Sequence, residues 1–164
     1  MKTVTFHFDQ DLAELLPRSW PFSTGRYRFA GPQSAKHLIK ALGIPHTEVG
    51  AIVANGSVLG LDYLVRDGDL IEVLGSPRVM GLDVPCFLID GHLGRLNAGL
   101  RMLGFDCAHV FDYSDTELVD PASSHGRILP TRDRRLLMRK SVVRSHLVRS
   151  LNSLTQLRDV IHRF

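Results

Sequence analysis

Apolar and polar residues alternate across residues 3–8. Val4, Phe6 and Phe8 fall on one side and Thr3, Thr5 and His7 on the other, the period of a strand with one buried face. Residues 26–29 predict a second strand. The period then changes. Ala35, Leu38, Ile39 and Leu42 recur at helical spacing, with Ser34 placed as an N-cap and Gly43 placed to end the helix in a left-handed conformation. Short apolar runs follow at 49–54, 58–61 and 70–74, punctuated by Asn55-Gly56 and Asp67-Gly68, dipeptides suited to tight hairpin turns.

Residues 76–85 combine Gly, Pro and Ser without periodicity and read as a linker between a domain at 1–75 and another at 86–164. In the second domain a short apolar strand, CFLI, precedes Leu93, Leu96, Leu100 and Leu103, which recur at helical spacing before Gly104 and are expected in the core. Residues 105–110 predict the next strand, and Ser114-Asp-Thr-Glu117 has the form of a capping box opening a second helix. Residues 127–131 predict a third strand, followed by a basic helical stretch from Arg134 and a weaker strand within 142–148. Ser153-Leu-Thr-Gln156 then predicts the cap of a last helix, with Leu154, Leu157, Val160, Ile161 and Phe164 inward. Strands alternating with helices imply an α/β domain with a mostly parallel sheet flanked by helices.

Charge sharpens the division. Of the 20 Lys+Arg and 17 Asp+Glu, residues 1–75 hold 7 and 8 and residues 76–164 hold 13 and 9, so the halves carry −1 and +4. A basic second half points towards a polyanionic partner. The two cysteines, Cys86 and Cys107, have no CxxC spacing, which argues against a zinc ribbon or a disulfide framework and fits a cytoplasmic setting. No run of about 18 apolar residues exists, so no membrane partner is expected.

In open α/β sheets the functional crevice lies beyond the carboxyl ends of the strands. Asp90 ends the first strand, Asp133 follows the third closely, and Asp115 and Glu117 open the second helix; all four can meet there. Clustered carboxylates repel one another unless a cation neutralises them, so the set makes sense as a divalent-metal site, with Mg²⁺ or Mn²⁺ suited to oxygen ligands. There is no GxSxG, phosphate-binding Walker loop or HExxH to support another chemistry.

The first domain, with one helix across one sheet, resembles the β-grasp fold, and its closing LVRDGDLIEVLG resembles the sulfur-carrier branch of ubiquitin-like proteins. Here Gly75 continues into Ser76 and Pro77 instead of ending in a free Gly-Gly, so a docking or RNA-contacting module is expected. In the second, FLIDGHLGRLNAGLRMLGFD, DYSDTELV, GRILPTRDRRLL and QLRDVIHRF, in this order and spacing, resemble the Mut-seven C-terminal RNase family. That resemblance implies a PIN-like fold behind a ubiquitin-like domain, and a metal-dependent ribonuclease with Asp90, Asp115 and Asp133 as ligands. The chain departs from the family pattern at Ser114, where a second Asp is usual, and at Asn97 and Gly99 in an otherwise Ala-rich helix start. The family's C-terminal zinc ribbon has no counterpart before Phe164.

The expected catalytic set is therefore Asp90, Asp115, Glu117 and Asp133, with Glu117 also explicable as the closing residue of its capping box. Arg132 and Arg134 can hold phosphate or form a solvated helix face. Arg95 and Arg101 are expected on one face of the first helix, lining the same groove or bearing solvent. His92, two residues after Asp90, could touch a phosphate. The expected substrate is RNA, single-stranded or transfer RNA, with a possible protein partner for the ubiquitin-like domain. The competing reading is a non-catalytic RNA-binding or protein-interaction adaptor on the same fold.

Overall fold

The computed structural model describes residues 1–77, 84–110 and 126–164. The chain divides into two compact units, Met1–Ser76 and Pro77–Phe164.

The first unit is a five-stranded mixed sheet. Its strands are β1 (Lys2–Phe8), β2 (Thr24–Phe29), β3 (Val49–Ala54), β4 (Ser57–Leu59) and β5 (Leu70–Gly75), in the order β2-β1-β5-β3-β4. The first and last strands lie parallel at the centre, Thr5 opposite Leu70 and Phe8 opposite Val73, and all other pairs are antiparallel. This is the β-grasp arrangement. One face carries Val4, Phe6, Phe8, Ile52, Ile71 and Val73, all fully buried, because alternation puts every second side chain on the same side. Helix α2 (Ala35–Ala41) contributes Ala35, Leu38 and Ile39 to the core. The Ser34 hydroxyl accepts from His37 N at 3.2 Å, and Gly43 has φ +89°, so both predicted ends of this helix hold. A single turn, α1 (Gln10–Ala13), follows β1 and was not legible in the periodicity, being too short to show one. Asp9 caps it by accepting from Leu12 N, and its other oxygen accepts from Gly75 N, joining the ends of β1 and β5.

Asp69 is the polar hub of this unit. Its carboxylate, 5% exposed, accepts from Asn55 Nδ2 at 2.8 Å, Tyr63 Oη at 2.9 Å and Arg66 N at 2.8 Å. Burial opposes ionisation, but these donors outweigh it and hold the carboxyl below its usual pKa.

Among its described residues the second unit has four short strands, β6 (Phe87–Asp90), β7 (Cys107–Val110), β8 (Leu129–Thr131) and β9 (Ser145–Leu147), paired in parallel. A parallel bridge between Phe87 and Ile128 joins the two pairs, giving the order β7-β6-β8-β9. Its helices among the described residues are α3 (Gly94–Met102), α4 (Arg134–Leu137) and α5 (Ser153–Arg163). The core gathers Phe87, Ile89, Leu93, Leu96, Leu100, Ile128, Val148 and Val160. Burying one such Leu or Phe contributes on the order of 1.5–3 kcal/mol. A Cβ on Gly99 would stand 3.0 Å from Leu157 Cδ2, so the small residue allows α3 and α5 to approach, which accounts for this departure from the family pattern. Arg127 straps the start of the sheet, donating to Phe87 O at 3.1 Å and Asp106 Oδ2 at 2.7 Å.

Three expectations need correction. Leu103 is 56% exposed, because α3 ends at Met102 and Gly104, at φ +89°, turns the chain away. Leu154 is 76% exposed; α3 meets α5 at Leu157, a turn later. The cap of α5 is Asn152, whose Oδ1 accepts from Leu154 N and Thr155 N, and Ser153 is already helical. The expected capping box at 114–117 lies outside the described residues. Both cysteines are free thiols, and no helix among the described residues is long and apolar enough to cross a membrane.

Two predictions follow from this packing. Asp69→Ala removes a buried acceptor of three hydrogen bonds and should lower stability by roughly 3 kcal/mol in urea denaturation, whereas Asp67→Ala at the exposed turn should cost far less. His146, beside Phe164, has its pKa pushed down to about 3 by burial and by the charges of Arg163 and Arg149. The unfolded chain therefore takes up a proton below 6.5 that the folded one refuses, and the second unit should lose up to about 1.4 kcal/mol per pH unit as pH falls from there towards 3. Melting temperatures from pH 7 to 4.5 should fall less steeply in His146→Gln than in wild type.

Candidate functional site

Parallel strands put all their carboxyl ends on one edge. The bridge between Phe87 and Ile128 sets the register of β6 against β8, with Leu88 N donating to Ile128 O and Ile128 N to Cys86 O at 2.8 and 2.9 Å. Three residues further on, that register places Asp90 beside Thr131. The next donor from β8 in this ladder would be the nitrogen of Pro130, which carries no hydrogen. A side-chain bond joins the strands there instead: Thr131 Oγ1 donates to Asp90 Oδ2 at 2.9 Å.

The same hydroxyl accepts from Asp133 N at 3.0 Å, so one fully buried threonine holds both carboxylate-bearing segments. Asp133 Oδ1 caps α4, accepting from Arg135 N at 2.7 Å and Leu136 N at 3.2 Å. Its Oδ2 makes no hydrogen bond among the described residues. Asp90 Oδ1 accepts from His92 N at 3.2 Å, opening the single 3-10 turn Gly91–Leu93 that leads into α3. Both carboxylates are half-buried. Each thus has a structural duty as a cap and still presents oxygen towards the edge of the sheet.

Among the expected site residues, Asp90 and Asp133 are brought together at adjacent strand ends. Asp115 and Glu117 lie outside the described residues. Arg132 is exposed between Thr131 and Asp133, Arg134 is half-buried as the first residue of α4, and Arg95 is exposed in the first turn of α3. Arg101 is not brought to this edge. It sits in the last turn of α3, where its charge acts on Cys107 at the start of β7, and six residues turn a helix by about 600°, which puts it on a different face from Arg95. His92 is exposed one residue beyond the turn start. Thr131 was not among the residues given a role by sequence; a polar side chain closing an otherwise apolar strand immediately before Arg-Asp was the available signal.

The donor set is oxygen-only, as a hard divalent cation requires. Among the described residues no group of three or more His, Cys, Asp or Glu side chains converges on one point, so Asp90 and Asp133 form the described part of any such site.

Sequence comparison agrees with both halves. The family model for Mut7-C ubiquitin matches residues 1–80, and that for the Mut7-C RNAse domain matches residues 85–164. Two solved structures are similar to part of the chain. The crystal structure of H. volcanii small archaeal modifier protein 1 is 17% identical over 45% of this chain and 97% of its own, with a TM-score of 0.36. SAMP1 from Haloferax volcanii is 19% identical over 49% and 99%, also with a TM-score of 0.36. No curated protein matches. With residues 1–80 and 85–164 accounted for in this order, the chain belongs to the Mut7-C family, a ubiquitin-like domain followed by an RNAse domain.

Proposed function

We propose that the RNAse domain hydrolyses RNA phosphodiester bonds with a divalent cation, Mg²⁺ or Mn²⁺, at the edge formed by Asp90 and Asp133. The observation that carries this reading is the relay Asp90–Thr131–Asp133, which fixes two carboxylates from separate strands on the carboxyl edge of a parallel sheet. Asp90 and Asp133 would hold the ion, with Asp115 as a third ligand and Glu117 as ligand or water-orienting base. A cation so held supplies a water of lowered pKa and neutralises charge on the phosphoryl oxygens.

The protein's own contribution is orientation and charge. The Thr131 hydroxyl fixes the rotamer of Asp90 and, through Asp133 N, the start of α4, in the manner of outer-shell partners that hold ligands in place. Arg132 and Arg134, flanking Asp133, would take up phosphate charge and hold the scissile strand, contacts that position RNA without reading its sequence. Arg95 would serve the same groove. The excess of basic residues in this half, 13 against 9 acidic, favours a polyanion at its surface.

The decisive experiment is cleavage of labelled single-stranded RNA, transfer RNA and single-stranded DNA by the full chain, with Mn²⁺ or EDTA. Wild type should cut RNA with Mn²⁺ alone, and Asp90→Asn and Asp133→Asn should abolish cutting. If all substrates stay intact, the domain is an adaptor. Thr131→Val should slow cleavage roughly 10- to 100-fold, while Thr131→Ser, which keeps the hydroxyl, should retain most of it. Mn²⁺ should raise the melting temperature of wild type and leave that of Asp90→Asn unchanged, since only a folded site binds the ion.

A further inference from the structure

The outer face of the β-grasp sheet has the wrong composition for a surface left to water. Its side chains follow from the registers already described. Leu70, Glu72 and Leu74 of β5 lie on this face, with Ala51 opposite Leu74, Val53 opposite Glu72, and Val58 of β4 opposite Val53. Leu70 is 48% exposed, Leu74 40% and Val58 74%. A sheet with one face packed on the core ordinarily turns polar residues outward on the other. Here aliphatic side chains from three adjacent strands are outward and contiguous.

The far flank of the same face is cationic. Arg26 and Arg28 stand on β2 opposite Thr5 and Thr3, pointing to the same side and about 7 Å apart along the strand. Both are exposed, and neither forms an ion pair among the described residues. From β2 across β1 to β5 is about 10 Å, two inter-strand spacings, which is the width of a helix with its side chains.

We infer that this face is a docking surface for a partner protein's amphipathic helix, whose aliphatic stripe lies over β5, β3 and β4 and whose flanking carboxylates, four residues apart, meet Arg26 and Arg28. The spacing of carboxylates at i and i+4 on a helix is close to that of the two arginines. RNA fits this face poorly. Bases stack on aromatic rings, and this patch has aliphatic ones, with the Glu72 carboxylate at its centre facing any phosphate. A second copy fits poorly as well, because Arg26 and Arg28 against Glu72 leave each face with one net positive charge, and two such faces repel. The inference concerns the ubiquitin-like domain and stands apart from the nuclease reading.

The test uses the full ¹⁵N-labelled chain and a synthetic helical peptide with Leu at i, i+3, i+4 and i+7 and Glu on the flanks, beside a twin with Lys in place of Glu. The acidic peptide should give saturable amide shifts centred on Leu70, Leu74, Val53 and Val58, weakened by added salt. Arg26→Glu/Arg28→Glu should weaken it about tenfold or more and gain affinity for the Lys peptide, the signature of charge complementarity. Val58→Ser/Leu74→Ser, altering only exposed side chains, should weaken both peptides alike. The inference is overturned if the acidic peptide gives no saturable shifts or shifts elsewhere, if a uridine oligonucleotide shifts this face instead, or if the face shifts with protein concentration alone.

Discussion

The RNAse domain turns on one hydrogen bond, from Thr131 Oγ1 to Asp90 Oδ2. Strands β6 and β8 are bridged at Phe87 and Ile128, and Pro130, two residues along, has no N–H to give to the backbone ladder that starts there. Beyond that point a side-chain bond ties the two strands. The tie lies at the edge where α3 and α4 begin, so the hydroxyl that closes the sheet also orients the carboxylates. Its burial strengthens it: a fully buried hydroxyl that donates once and accepts once leaves no unmet polar group in the core.

The two carboxylates show how a site is built from ordinary structural duties. Asp133 caps α4 and Asp90 caps the turn before α3, roles that a soluble domain without any activity would also need. Capping fixes their rotamers and leaves oxygen at the strand ends, and one shared threonine brings the two caps into a common frame. Under the proposed reading, the family assignment and the excess of basic residues in this half give that frame its chemical meaning as a place where RNA phosphate would be cut.

The ubiquitin-like domain has a different logic. Its polar hub at Asp69 orders the turns between strands, and its central parallel pair buries one face completely. The opposite face mixes aliphatic side chains with two arginines, which the stability of the sheet does not require.

Much was legible along the chain because it rests on local chemistry. Alternation at 3–8, the cap at Ser34, the left-handed glycine at 43 and the turn dipeptides are set by neighbours within a few residues, and they placed the β-grasp strands and α2. Asp90 and Asp133 were legible as polar residues closing apolar strands, and the family motifs reinforced them. The ends of helices were less so. Leu103 and Leu154 continue an apolar stripe beyond the length of the partner that could cover it, a length no single segment contains. Arg101 looked like a companion of Arg95 until the helix's rotation and its position beside Cys107 put it at the other end of the sheet. The role of Thr131 was hidden for the same reason: it depends on the β6–β8 register, a contact 41 residues apart in sequence. Sequence determined the strands, the caps and the kinds of residue at each strand end, because periodicity and capping are local; only the tertiary structure decided which strand ends meet, because pairing register is a long-range choice made by the whole core.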